Sequence, residues 1–156
     1  MNYPYIPKGK DIKYVPANDS FMVEAKKLRD NYSTDFNHKT GAVVVKDGVI
    51  IGSAANRSKI SNRFLINLHK KGLCFRKLFR VKTGQKYWLC PGCASSKYHA
   101  EHSAVVDALS NGKNTTGADV YLYGHWWCCK QCWDKMIEAE IRNVYLVDNA
   151  TELFKK

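Results

Sequence analysis

The sequence predicts an α/β protein, a sheet with parallel pairing and helices packed against it. Three observations carry this. Helical and strand-like patterns follow one another in the order α-β-β-insertion-α-β-α-β. The stretch 118–148 reads strand, helix, strand, and such a crossover joins parallel neighbours. The length of 156 residues, with 45% apolar and 25% charged side chains, suits a single domain over 1–156 with a real hydrophobic core.

Each element has its own signal. Residues 1–18 contain Pro4, Pro7 and Pro16 and read as an extended arm. In "NDSFMVEAKKLRDNYS", Phe21, Met22, Ala25, Leu28 and Tyr32 recur at helical spacing, with Asn18, Asp19 or Ser20 as the cap. "GAVVVKDGVIIGSAAN" is two β-branched runs joined by Lys46-Asp47-Gly48, a hairpin. Residues 57–97 have no clean period and read as a basic insertion with some helix around Arg63–His69. "HAEHSAVVDALSNG" is helical and ends at Gly112. "ADVYLYG" is a strand, "CKQCWDKMIEAE" a helix with Met136 and Ile137 turned inward, and "NVYLVD" a strand. "NATELFKK" forms a short final turn. No internal repeat or low-complexity segment is present.

No apolar run approaches the roughly 20 residues that span a bilayer, and "MNYPYIPKGK" lacks the apolar stretch of a signal peptide. The expectation is a soluble, cytoplasmic protein with no membrane partner. Thiols stay reduced there, so clustered cysteines favour metal over disulfides. The net charge is +11, and one segment supplies it. Gly48–Ala100 holds 11 Lys or Arg and no acid, leaving 14 basic and 14 acidic residues elsewhere. Such a segment suits a phosphate-bearing substrate or a polyanionic strand, or is a solvated basic face.

Three of the six cysteines crowd into "GHWWCCKQCWDKM" beside Trp126 and Trp127. His99-Ala100-Glu101 opens one predicted helix, and Cys129-Lys130-Gln131-Cys132 opens the next. One imidazole and two thiolates make a three-ligand zinc site with an open fourth position, the arrangement of catalytic rather than structural zinc. Helix N-termini favour thiolates and developing negative charge. Glu101, two residues from His99, lies near the metal without binding it and can carry a proton between water and substrate. This combination is the signature of zinc nucleobase deaminases. Cys128 reads as a buried non-ligand, the alternative being an exchange of roles with Cys129. His125 and His102 read as structural or surface residues.

The chain resembles the cytidine and deoxycytidylate deaminase superfamily, and its deoxycytidylate branch most closely. The resemblance runs through "FMVEAKKLRD", "GAVVVKDGVIIGSAAN", "HAEHSAV", "ADVYLYG", "CCKQCWDKM" and "NVYLVD", in the family's order. It implies a three-layer α/β/α fold with a mixed sheet of four to five strands. It implies His99, Cys129 and Cys132 as ligands of catalytic zinc, and Glu101 as proton shuttle. Asn56 matches an asparagine that contacts the sugar, and the backbone near Ala100 would hold the base edge. The family's usual assembly is a homo-oligomer. Cys128 stands where the family has proline. Trp126 stands where some polynucleotide deaminases have tryptophan, so Trp126 and Trp127 are candidate base stackers as well as packing residues. The family's fifth strand is expected to be absent or reduced.

A second Cys-x-x-C, Cys90 and Cys93, lies in the insertion with Cys74 upstream. The insertion has too little apolar content for a core of its own, and structural zinc contributes roughly 10–16 kcal/mol in small peptides. The expectation is a second, structural zinc on Cys74, Cys90 and Cys93, with His69, His38 or His102 as fourth ligand. The alternative is reduced cysteines without metal.

The leading functional expectation is hydrolytic deamination of a cytosine nucleotide, dCMP, with basic residues holding its phosphate. The alternative is deamination of cytosine or adenine in single-stranded DNA or RNA, including tRNA, with base stacking on the aromatic residues. A degenerate binding protein on the same fold is opposed by the retention of Glu101 with all three ligands. Guanine and pterin-like rings remain further substrates of the superfamily.

Overall fold

The computed structural model describes residues 4–35, 38–58, 62–82, 85–86, 89–90, 93 and 95–155. Five strands, β1 Ile12–Val15, β2 Gly41–Lys46, β3 Val49–Ala55, β4 Asp119–Tyr123 and β5 Asn143–Val147, form one sheet in the order β1-β5-β4-β2-β3. The helices are α1 Ser20–Tyr32, α2 Arg63–Lys70, α3 Phe75–Leu78, α4 Ala100–Ser110, α5 Lys130–Glu138 and α6 Ala150–Phe154. A 3-10 turn at Ser96–Tyr98 leads into α4.

The sheet is mixed. β2 runs antiparallel to β3 and β4, whereas β5 is parallel to β4 and to β1. After β5 the described residues hold only α6, so no further strand follows there; the sheet's fifth strand is instead β1, which the N-terminal arm supplies at the edge beside β5. Ile12 pairs with Val144 and Val15 with Val147. In "IKYV" only Ile12 is buried, so hydropathy alone shows an arm. Ladder hydrogen bonds to β5 make it a strand.

Helices cover both faces of the central strands, and two glycines show how closely. A Cβ on Gly41 would stand 2.1 Å from the Ala25 carbonyl oxygen of α1. A Cβ on Gly52 would stand 2.4 Å from the Ala104 carbonyl oxygen of α4. Val44 pairs with Gly52 and Val43 neighbours Gly41's face, so β2 is buried on both sides, as a central strand of a three-layer fold must be. Phe154 of α6 packs edge-on to Tyr123 at 5.3 Å.

Local signals were obeyed with small shifts. Asp19 caps α1, its carboxylate accepting the N–H groups of Phe21 and Met22, each at 3.0 Å. The hairpin turn is Asp47-Gly48, both with positive φ, and Lys46 belongs to β2. In α5, Met136 is buried as expected, but Ile137 is 42% exposed. Adjacent helical residues point about 100° apart, and the inward face is taken by Cys132, Trp133 and Met136. Among the described residues no helix is long and apolar enough to cross a membrane.

The insertion forms α2 and α3. Among its described residues, those buried are Cys74, Cys90 and Cys93, which form a cluster separate from the main core, and His69. Phe64, Leu78 and Phe79 remain exposed.

Candidate active site

α4 and α5 begin at the same place. His99 is the N-cap residue of α4 and Cys129 that of α5, and neither side chain makes a capping hydrogen bond. Both are left to face each other. His99 Nδ1 stands 3.6 Å from Cys129 Sγ and 3.5 Å from Cys132 Sγ, and the two sulfurs are 3.3 Å apart. Ligands at zinc's usual bond lengths and tetrahedral angles stand about 3.6 Å apart from N to S and about 3.8 Å from S to S. The three donors fit such an ion with little adjustment.

The electrostatics suit a cation too. The hydrogen bond from Cys132, with that of His99, outweighs burial and holds the Cys129 thiol down at about 4. Burial pushes Cys132 well above its ordinary value. Burial also raises Glu101, only 5% exposed, with the Cys129 charge adding to it and His99 opposing. Cys128 is fully buried, and burial drives its thiol well up. It lies outside the donor cluster.

A second donor set comes from the insertion. Cys74 Sγ is 3.7 Å from both Cys90 Sγ and Cys93 Sγ, and Cys93 Sγ is 3.6 Å from His69 Nε2. These spacings again match a tetrahedral zinc. Burial raises Cys74, but the N–H groups of Lys77 and Arg76 and the neighbouring thiols bring it below its usual value. Burial pushes Cys93 up to about 12. Of the three candidate fourth donors, His69 is in this group, while His38 and His102 are not.

One cavity of about 170 Å³ joins the two sets. Its wall includes His99, Glu101 and Cys129 from the first set's surroundings, Cys74, Arg76, Lys77 and Cys93 from the insertion, and Asn56, Thr40 and Trp127.

The sequence profile of the cytidine and deoxycytidylate deaminase zinc-binding region matches residues 16–148. The chain belongs to this deaminase family. Its members are hydrolytic deaminases of nucleobases. No match emerges among curated protein sequences. Among solved structures, the dCMP deaminase of cyanophage S-TIM5 in complex with dCMP and dUMP is 17% identical, with TM-score 0.50, covering 87% of this chain and 88% of that one. This likeness shows the fold. The guanine deaminase of Bacillus subtilis is 18% identical, with TM-score 0.46, covering 87% and 68%. A diaminohydroxyphosphoribosylaminopyrimidine deaminase/reductase of Thermotoga maritima is 22% identical, with TM-score 0.45, over 86% of this chain. The present chain spans about a third, 32%, of that bifunctional protein.

Within this deaminase-family fold the remaining residues divide. Ala100 is fully buried between His99 and Glu101 at the start of α4. Trp127 is buried on the cavity wall. Trp126 is half-buried and packs against His125 and Trp127, with the Lys155 ammonium 5.5 Å above its ring. Asn56 reaches the wall with its side chain heavily engaged. Its Oδ1 accepts from the Ser33 hydroxyl and the Thr40 N–H, and its Nδ2 donates to the His38 carbonyl at 2.6 Å.

Sequence reasoning missed several wall residues: Asp35, Thr40, His125, Arg76, Lys77 and Val81. His125 does more than fill space. Its Nδ1 accepts the N–H groups of Trp126 and Trp127 at 3.1 and 3.3 Å, which places the ring proton on Nε2. Burial, then His38 and His99, lower its pKa to about 3, so the ring stays neutral. The sequence held one usable signal, the placement of His125 two residues after Tyr123, the last residue of β4. Lys77 lies in a segment without period and gave none.

Proposed function

We propose that the chain deaminates a cytosine nucleotide, dCMP, to the uracil nucleotide with release of ammonia. His99, Cys129 and Cys132 would hold the catalytic zinc. His69, Cys74, Cys90 and Cys93 would hold a second, structural zinc that stands in for the core the insertion lacks. The observation that carries the reading is the presence of buried Glu101 on the same cavity wall as His99 and Cys129. When bound there, zinc acidifies water and so supplies the nucleophile for hydrolysis at neutral pH.

The chain's own residues do the rest. Water adds its oxygen to C4 of the base and the C4–N bond breaks. Glu101 takes the first proton the water loses and passes it to the ring nitrogen; it then takes the second from the new C4 hydroxyl and delivers it to the amino group, which leaves as ammonia while the C4–O bond becomes the carbonyl. Burial has raised its pKa, which suits a group that must both accept and donate. Neutral His125 and the Trp127 ring bound the site without adding charge. Asn56, tied to Ser33, Thr40 and His38, positions the loop over the sugar. The choice of dCMP rests on the sequence resemblance to the deoxycytidylate branch. We read 1–156 as one deaminase domain with 57–97 inserted.

A second reading has an observation of its own. Phe64 and Phe79 are exposed on the same insertion that carries the basic side chains. Interleaved rings and cations are how single strands are bound. An ammonia-release screen over nucleotides, nucleosides and short oligonucleotides tests both. Release from dCMP supports the first reading. Release only from cytosine or adenine within a strand replaces it with the second.

A further inference from the structure

The cavity wall combines the catalytic donors and the residues around them with five residues of the insertion: Cys74, Arg76, Lys77, Val81 and Cys93. Two cations therefore face the cavity, and they are not equivalent. Arg76 is committed to holding its own loop, with Nε donating to the Gln85 carbonyl at 3.0 Å and Nη2 to that of Lys82 at 3.3 Å. The exposed Lys77 ammonium has no hydrogen bond or ion pair among the described residues. No acid lies between Gly48 and Ala100 to engage it. The carboxylates on the wall are Glu101, beside the catalytic donors, and Asp35, whose Oδ1 accepts the His38 N–H at 3.0 Å.

What places Lys77 is equally specific. It sits in α3, a helix of four residues, Phe75–Leu78. A helix this short does not hold itself in water, and none of its residues is buried. Its anchors are Cys74, its N-cap residue and a member of the His69/Cys90/Cys93 group, and the Arg76 hydrogen bonds.

We propose that Lys77 is the specificity-determining residue that receives the phosphate of a mononucleotide, and that the His69/Cys74/Cys90/Cys93 group is the buttress that presents it. This rests on the nucleotide reading above. A phosphate entering the cavity finds a lysine already placed and without a competing partner, and a charge-assisted hydrogen bond is about twice as strong as a neutral one. A nucleoside reaches the same base site and leaves Lys77 unused. The second zinc then has a role in substrate choice, because without it α3 loses its anchor.

The test is calorimetric binding of dUMP and of deoxyuridine to the zinc-replete full chain. The wild type prefers dUMP. Lys77→Gln, a substitution at an exposed position, lowers that preference by about tenfold to a hundredfold, and Lys77→Arg restores part of it. Lys113→Gln, an equal loss of charge elsewhere on the surface, leaves it intact. Cys90→Ser, shown by metal analysis to hold one zinc fewer, loses the preference even though Lys77 is present. A wild type that prefers dUMP with Lys77→Gln unchanged overturns the inference and leaves the nucleotide reading standing. A wild type that binds dUMP and deoxyuridine equally overturns both. A Cys90→Ser protein that loses the zinc and keeps the preference removes the buttress.

Discussion

Asn56 Oδ1 accepts a hydrogen bond from the Ser33 hydroxyl at 2.6 Å. With the bonds to Thr40 and His38, this makes Asn56 the tie between the end of β3 and the loop that follows α1. The residue that resembles a sugar contact is at the same time a structural hub. Asn56→Ala should therefore cost about 2–3 kcal/mol of stability, since it strands buried partners, as well as turnover. Thermal unfolding checks this. A variant that loses turnover with an unchanged melting temperature would make Asn56 a substrate contact alone.

The adjacent cysteines should separate cleanly. Cys129 lies 3.6 Å from His99 Nδ1, while Cys128 is outside the donor group. Metal analysis of wild type should find about two zinc per chain, one for each donor group. Cys129→Ala should lose one of them and Cys128→Ala none. Equal zinc in both variants would show that the first site is misassigned.

The three-layer packing predicts a sharp contrast between neighbours in α5. Met136→Ala removes a side chain that is 1% exposed and should cost about 2–5 kcal/mol. Ile137→Ala should cost less, about 1 kcal/mol, because the residue is 42% exposed and lies off the buried face of the helix. On the other face of the argument, Gly52→Ala forces a Cβ against the Ala104 carbonyl of α4. Overpacking of this kind costs about 1–3 kcal/mol. Denaturant midpoints would settle all three, and a tolerated Gly52→Ala would mean that α4 lies farther from the sheet.

How much of this was visible in the sequence depends on how locally each feature is encoded. His99, Glu101, Cys129 and Cys132 were legible because two short motifs fall at helix starts, and helix starts are written in adjacent residues. The Asp19 cap and the Asp47-Gly48 turn are local for the same reason. β1 was not legible, because "IKYV" has one buried residue and becomes a strand only through β5. His69 could not be chosen over His38 and His102 by spacing, since the choice depends on how α2 folds back on Cys74 and Cys93. Lys77 belongs to a stretch whose position is set by sulfur donors rather than by apolar periodicity. Ile137 was misplaced because a nine-residue helix does not fix its buried face to within one position.

Charge distinguishes the two substrate readings. For a mononucleotide, one phosphate is contacted and binding should weaken only mildly with salt. For a strand, the affinity should fall with a slope of roughly −0.7 per phosphate contacted. Titrations of dUMP and of a short oligonucleotide at several salt concentrations measure this. A mild dependence for dUMP with feeble oligonucleotide binding is the expected result. Tight oligonucleotide binding with a slope of several units, and deamination within that strand, would contradict it.

The most direct measurement compares wild type and Glu101→Gln on dCMP, with zinc counted in each preparation. Wild type should yield dUMP and ammonia in equal amounts. Glu101→Gln should keep its zinc and its melting profile, because the carboxylate is not among the metal donors, and should lose nearly all turnover. No ammonia from a zinc-replete wild type would contradict the proposed substrate, and substantial turnover by Glu101→Gln would remove the proton shuttle on which the account is built.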